Sequence, residues 1–490
     1  MTRLNLAVGP LAEPAPGGVF STGRTGARPG PILAVSSVGT FLALVAFTLP
    51  LADLPTIVTV LGAGPAESAW ILSSMSVGLA AALLIAGRLA DDYGRRRMFL
   101  IGCAVLALGS FAALLPSAPV FIAGRIVAGI GGAAITLASL GLIAAGHQEP
   151  ARRAAATGVW GAVLGAGIAA GPLLAGVAHL IGAWWSAYLV VGVAAVAAAI
   201  MAWVSLAESR VPERQRVDLV GGVIFVAAMV VSLTGLVWLR LAAQPYQPIL
   251  VIIGGALLFV VFVIIELRVA QPMLDPRLFR GPRFTGQVVA GFTTGIGIIA
   301  LCSVSITFLI SGLGFTALAA AGTLALWSGT SVLTALLARP LAQRVGGGTQ
   351  LAIGLLGVAA GQALMIPAHS FATIAPGLFL AGIASGVLNA GLGREAVASV
   401  PAGRGGFGSG VNNTARYLGS AIGVTITGIL LLHGSAPSDP SGDQLTGGWT
   451  AAATVTAVLS ALGGLTVLIL DRAELRRLRA AVPRAGRTVG

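Results

Sequence analysis

The sequence predicts an all-α membrane protein with fourteen transmembrane helices. Three observations predict it. Of 490 residues, 56% are hydrophobic and only 9% charged, whereas a soluble domain carries about a quarter charged residues. Apolar runs of the length that spans a bilayer, about 20 residues, recur along the chain. Arginine is confined almost entirely to every second connection. The mean hydropathy of +0.95 is more apolar surface than a water-soluble core can hide.

Runs fall near 32–60, 69–89, 97–116, 119–146, 155–180, 184–206, 217–239, 247–267, 284–312, 316–338, 350–367, 371–393, 407–433 and 448–470. The first holds Asp53, the single acid expected within the hydrocarbon. Its end and the start of the second are marked by Gly62 and Gly64. The second and third are separated by a dense charge cluster, and the fourth opens with Arg125. The fifth is rich in glycine, and the sixth starts at Trp184. The seventh and eighth follow an arginine-bearing loop. The ninth follows QPMLDPRLFRGPRF, Gln271–Phe284. The tenth to fourteenth are divided by Arg339 and Arg344, a short polar turn, Arg394 and Arg404, and a Ser/Pro/Asp stretch.

Connections after odd-numbered runs carry only Arg240. The other side carries Arg88, Arg95, Arg96, Arg97, Arg152, Arg153, Arg210, Arg214, Arg216, Arg268, Arg277, Arg280, Arg283, Arg339, Arg344, Arg394, Arg404 and the C-terminal arginines. Basic residues stay cytoplasmic, so both termini are expected inside and the number of crossings even. The net charge of +13 is all arginine. Topology accounts for it, so no nucleic-acid partner is expected. Residues 1–31 read as a disordered cytoplasmic tail without a cleavable leader. Residues 471–490 read as a basic cytoplasmic tail. Cys103 and Cys302 lie in apolar runs, and the four histidines lack metal-ligand spacing. No disulfide framework, metal or cofactor is expected.

GRLADDYGRRR, Gly87–Arg97, packs two acids and four arginines into eleven residues between two runs. Such charge must turn at the membrane surface. With Gly87, Asp91, Gly94, Arg95, Arg96 and Arg97, it resembles the loop signature of the major facilitator superfamily of secondary transporters; Asp92 stands where that pattern has a base. Run five, GVWGAVLGAGIAAGPLLAG, resembles the superfamily's antiporter signature at Gly158, Gly167, Gly171 and Pro172, with Ala175 replacing a glycine. Small residues let helices approach closely and proline bends a helix, so this run is expected to be a barrier and hinge. SGVNNTARYLGSAIG, Ser409–Gly423, resembles the fourteen-helix drug:proton antiporter family, with Asn412, Asn413 and Arg416 at membrane depth.

The resemblance implies two six-helix bundles plus two inserted central helices. The expected units are 32–210 and 271–470, with 211–270 as the inserted pair. LADDYG at Leu89–Gly94 returns weakly as LAQRVG at Leu341–Gly346, as internally repeated transporters do.

Arg125 matches the family's buried arginine, but Ala128 replaces its glutamine partner. Ala46 takes the family's acidic position in run one, while Thr48 keeps its threonine. Asp53 lies about 10 Å further out on the same face. Asp53 and Arg125 are expected at similar depth, as a direct or water-mediated ion pair in which a proton or cationic substrate binding Asp53 competes with Arg125; the alternative is that Asp53 caps or ends a first run broken near Pro50 and Pro55. Thr48, Gln287, Trp327, Gln362 and Asn389 are candidates for the substrate cavity.

The reading is an exporter of a hydrophobic or cationic small molecule, monomeric, in a bacterial plasma membrane, exchanging its substrate for protons. Ala46 and Ala128 leave an uncoupled facilitator open. One deep acid and no histidine pair argue against a membrane-embedded enzyme. No ring of like groups suggests a channel filter.

Overall fold

Several helices begin at proline, whose missing N–H falls where no intrahelical acceptor exists: Pro29, Pro50, Pro65, Pro150 and Pro282. The computed structural model describes residues 29–210, 218–239, 244–269, 272, 274–338, 344–401, 405–432 and 442–481. In chain order the helices are α1 (Pro29–Thr48), α2 (Pro50–Leu61), α3 (Pro65–Tyr93), α4 (Arg95–Ala112), α5 (Ala118–Gly146), α6 (Pro150–Leu180), α7 (Ser186–Ser205), α8 (Leu219–Leu239) and α9 (Tyr246–Glu266). A 3₁₀ turn, Pro276–Arg280, precedes α10 (Pro282–Thr293) and α11 (Ala300–Thr307). Then come α12 (Ala317–Leu337), α13 (Gly347–Leu364), α14 (Phe371–Ala398), α15 (Gly405–Leu432) and α16 (Gly442–Ala481).

Among the described residues, twelve helices are long and apolar enough to cross a membrane. Of the fourteen expected runs, the third and eleventh, now α4 and α13, fall outside that twelve. Each is 18 residues long, and α4 opens with three arginines. The first run is not one helix: it divides at Leu49–Pro50 into α1 and α2. The ninth is one rod with two π-helical stretches, Thr294–Ile299 and Phe308–Gly312. Residues 1–28 and 482–490, with the first half of LAQRVG (341–343), lie outside the described residues. Helix α16 continues through residues 471–481. There Asp471 accepts from Thr349 Oγ1 at 2.5 Å and Arg477 donates to the Arg280 carbonyl at 3.1 Å.

Two apolar cores run through the molecule. The larger joins α1–α7 with Phe225, Met229 and Leu233 of α8 and takes in Phe284, Ile306, Phe407, Val411 and Tyr417 from the second half; the other joins residues from Ala290 to Val467, and a third, small cluster around Trp160 links α1, α5 and α6. An acid after the last helix of the first group holds the start of α4: Glu208 accepts from the Arg96 and Arg97 amides at 3.0 and 3.2 Å. Asp471 of α16 takes the corresponding place at the start of α13 through Thr349. This recurrence is stronger than the faint sequence echo.

The seam between the cores runs along α6. Cβ atoms built on Gly167 and Gly171 would come 2.6 Å from Leu44 Cβ and 2.8 Å from the Val45 carbonyl of α1. On its other face, Gly161 and Gly176 would meet the Asn389 carbonyl of α14 at 3.1 Å and Leu318 of α12 at 3.3 Å. Close helix approach in a membrane depends on such small residues. Gly158, by contrast, faces open space. Gly171→Ala is therefore expected to lower the thermal midpoint of the purified protein by the equivalent of about 1–3 kcal/mol. Gly158→Ala should not lower it; equal losses in both variants would contradict this packing.

Candidate functional site

Between the two cores lies a cavity of about 190 Å³. Thr48 of α1, Ser73 of α3, Leu236 of α8, Trp327 of α12, Asn389 of α14 and Arg416 of α15 are among its walls. The Trp327 indole is fixed by donating to Ser385 Oγ at 2.9 Å, which ties α12 to α14. The lining is mostly apolar with scattered hydroxyls, and it comes from the middle of the helices and the part away from the arginine loop.

At the arginine-rich end the walls meet. A Cβ on Gly87 would come 2.9 Å from the Gly406 carbonyl at the start of α15, so α3 and α15 touch backbone to backbone. The Asp91 carboxylate lies against the Gly406–Phe407 backbone. A helix N-terminus favours an anion there. Arg95 holds that carboxylate in place, donating to Oδ1 from Nε and Nη2 at 3.1 and 2.8 Å. Arg88 faces Asp92 at 3.7 Å and donates to the Pro272 carbonyl at 2.9 Å. Arg96 stacks over Trp203 at 5.0 Å and donates to its carbonyl at 2.6 Å, and Arg97 is 3.7 Å from Glu208. Gly94 turns the chain between α3 and α4 with φ +125°, where a side chain would also meet the Glu208 carboxylate.

Asp53 and Arg125 do not pair. Arg125 is buried and donates from Nη1 to the Ala46 carbonyl and from Nη2 to the Phe47 carbonyl at 3.1 Å. The reason is Pro50. It has no N–H to return to residue 46, so the kink exposes an acceptor, and a buried guanidinium takes it. Only the backbone of Ala46 is used, so the acid expected at that position is not needed to hold Arg125. A small cavity of about 10 Å³ beside Ala128 and Tyr188 marks the space that a larger residue than alanine would fill.

Asp53 is fully buried in the first turn of α2 and contacts His179 Nε2, near the end of α6, at 2.6 Å. Thr56 Oγ1 lies 3.3 Å from the same nitrogen. Asp53 is thus absent from the central cavity's walls.

The sequence matches the model of the Major Facilitator Superfamily over residues 36–424. The chain belongs to the Major Facilitator Superfamily. It resembles the multidrug resistance protein Stp of Mycobacterium tuberculosis (strain CDC 1551 / Oshkosh) at 28% identity over 405 residues, 81% of this chain and 75% of that one. The multidrug efflux pump LfrA of Mycolicibacterium smegmatis is 30% identical over 426 residues, 84% of this chain and 83% of that one. The crystal structure of the human organic anion transporter MFSD10 (TETRAN) superposes with TM-score 0.65 at 19% identity, covering 90% of this chain and 99% of that one. That likeness is one of fold. This member of the superfamily is a multi-pass membrane transporter rather than an enzyme.

Of the expected cavity residues in this superfamily member, Thr48, Trp327 and Asn389 line the cavity, but Gln287 and Gln362 do not. Gln287 accepts from Asn412 Nδ2 at 2.8 Å through its side chain and 2.7 Å through its backbone, joining α10 to α15. Gln362 donates to the Gly297 carbonyl at 3.0 Å and so steadies the first π-helical stretch. Asn413 bonds within its own helix to the Ser409 carbonyl at 2.9 Å. Only Arg416 of the α15 polar cluster reaches the cavity. His179, Glu208 and Asp471 were not singled out from the sequence. Each lies more than 100 residues from its partner, so no local spacing signals it.

The Pro50–Arg125 account has a direct test. Arg125→Leu should cost about 1–3 kcal/mol by leaving the Ala46 carbonyl unmatched. In a Pro50→Ala background, where the restored N–H reaches that carbonyl, the loss should shrink by at least about 0.5 kcal/mol. Additive losses in melts of the four proteins would reject the link.

Proposed function

We propose that this chain is a proton-coupled exporter of hydrophobic small molecules in a bacterial plasma membrane, working by alternating access. The observation that carries the reading is the central cavity, walled by both helix groups and closed at the arginine-rich end. Sequence relatives named for multidrug resistance and efflux, and a probable actinorhodin transporter of Streptomyces coelicolor at 29% identity, support the direction of transport.

In this reading there are fourteen crossings: the twelve plus α4 and α13. Eighteen residues give about 27 Å of helix, close to the hydrocarbon thickness, and both helices pack among neighbours that cross. Two six-helix bundles, 32–210 and 271–470, flank the pair in 211–270. The termini lie in the cytoplasm, following the arginine side. The Asp91–Arg95 cluster against α15 then latches the inner face, and the cavity is exposed toward the outside. The protein acts as a monomer, and α6, bent at Pro172, is the hinge along which the bundles rock.

Protons act at Asp53 and His179. Protonating Asp53 removes the charge that holds His179, and so frees the end of α6 from α2. The motion reaches the cavity because α6 lies against α1 on one face and α12 and α14 on the other. That Asp53 lies off the cavity also favours a second reading, a facilitator whose flux ignores protons.

Cells expressing the chain are expected to retain less of a neutral hydrophobic dye such as Nile red than cells expressing Asp53→Asn, at equal membrane protein. A protonophore should raise the wild-type level to that of the variant. Wild-type efflux that persists with the protonophore would select the facilitator. No difference from cells lacking the protein would sink the exporter.

A further inference from the structure

Arg416 is 6% exposed, lies on the cavity wall and makes no hydrogen bond or ion pair with any described residue. Its Nε is buried without a partner, and its one protein contact of note is the face of Tyr417, 5.6 Å from the guanidinium carbon. The described lining contains no Asp, Glu or His. Two electroneutral alternatives are absent. Among the described residues no Asp or Glu lines the cavity beside this charge, and no backbone carbonyl accepts from its side chain as Ala46 does from Arg125.

A guanidinium in a low-dielectric wall is costly unless matched. Its planar fork of donors fits a carboxylate or similar oxyanion better than any neutral group. Around it the cavity offers Phe47, Leu51, Leu236, Trp327 and Tyr417, a surface for an apolar or aromatic body. Ser73, Ser303 and Ser328 add neutral hydroxyls.

We infer that the central cavity binds an amphipathic organic anion, with its acidic group on Arg416 and its apolar body against Phe47, Trp327 and Tyr417. The inference takes its transport direction from the exporter reading but not its binding chemistry. It excludes a cationic substrate at this place, because the wall supplies a positive charge and no negative one.

Three probes of one shape test it on the purified full chain: 1-naphthylacetate, 2-(1-naphthyl)ethanol and 1-naphthylmethylammonium. The acetate should bind at least about tenfold more tightly than the alcohol, and the ammonium least tightly, since a matched charge–guanidinium contact exceeds a neutral one. Arg416→Gln should weaken the acetate by about tenfold and leave the alcohol unchanged, while Arg416→Lys restores part of the loss. Should Arg416→Gln not fold, the wild type still decides. Phenylglyoxal labelling of Arg416, read by mass spectrometry, should be blocked by the acetate and not by the alcohol. Preference for the ammonium, acetate binding indifferent to Arg416→Gln, or labelling unprotected by the acetate overturns the inference. If binding shows no anion preference while dye efflux continues, only this inference fails; anion binding without efflux of any dye refutes the exporter instead.

Discussion

The governing constraint is the cost of taking a guanidinium out of water. A lone arginine at the centre of a bilayer helix costs about 2.5–3.5 kcal/mol. Arg125 meets this cost through the backbone, not through a carboxylate. Pro50 breaks the first span, the break leaves the Ala46 carbonyl without its N–H, and Arg125 fills the gap along with the neighbouring carbonyl of Phe47. The kink also fixes where α2 begins, which places Asp53 in its first turn, where the helix dipole favours a negative charge. One proline thus arranges both the deep cation and the deep anion, each with a different partner.

Closure at the arginine-rich end follows from the same rule together with the absence of side chains. Gly87 and Gly406 bring α3 and α15 into backbone contact, and the first turn of α15 then presents its amides to whatever lies beside it. Asp91 lies there, and Arg95, one turn further on, balances it at 2.8 Å. A charge cluster at a surface would be worth little by itself. Here both side chains are almost wholly buried, so the cluster and the helix end hold each other only while α3 and α15 stay together. That makes the contact conditional on the approach of the two helices.

Local patterns were legible in the sequence and distant partners were not. Run lengths located the helices because about 20 apolar residues have one use. The small-residue spacing in run five marked Gly158, Gly167 and Gly171 alike, yet Gly167 and Gly171 lie against α1 while Gly158 faces open space; spacing alone does not say which face meets a neighbour. Trp327 and Asn389 were placed at the cavity, whereas Gln287 and Gln362 were misplaced there, because a buried amide serves equally well to tie two helices. The Asp53–Arg125 pairing failed for a physical reason. Depth along two spans was read as contact, but a guanidinium can also donate to a backbone carbonyl, and nothing in composition announces a carbonyl freed by a proline four residues on. His179 was invisible as a partner since it lies 126 positions from Asp53 in a helix read for its glycines.

The helices between the two cores show why sequence position is a poor guide to structural role. α8 and α9 lie between the two helix groups in the sequence. They form a tight hairpin, with Gly255 against Ser232 and Phe225 against Phe259 and Phe262, but the two helices have different fates. α9 is largely exposed along its apolar length. α8 is drawn inward: Leu233, Leu236 and Val237 form part of the cavity wall, and the Leu236 carbonyl accepts from Thr425 Oγ1 of α15 at 3.3 Å. It therefore covers a stretch of wall between α3 and α15 with aliphatic side chains. Arg416 is on α15, one helix turn to the arginine side of Ser420 and two from Thr425. The aliphatic side chains that α8 adds belong to a lining that, among the described residues, offers this arginine no acid to pair with.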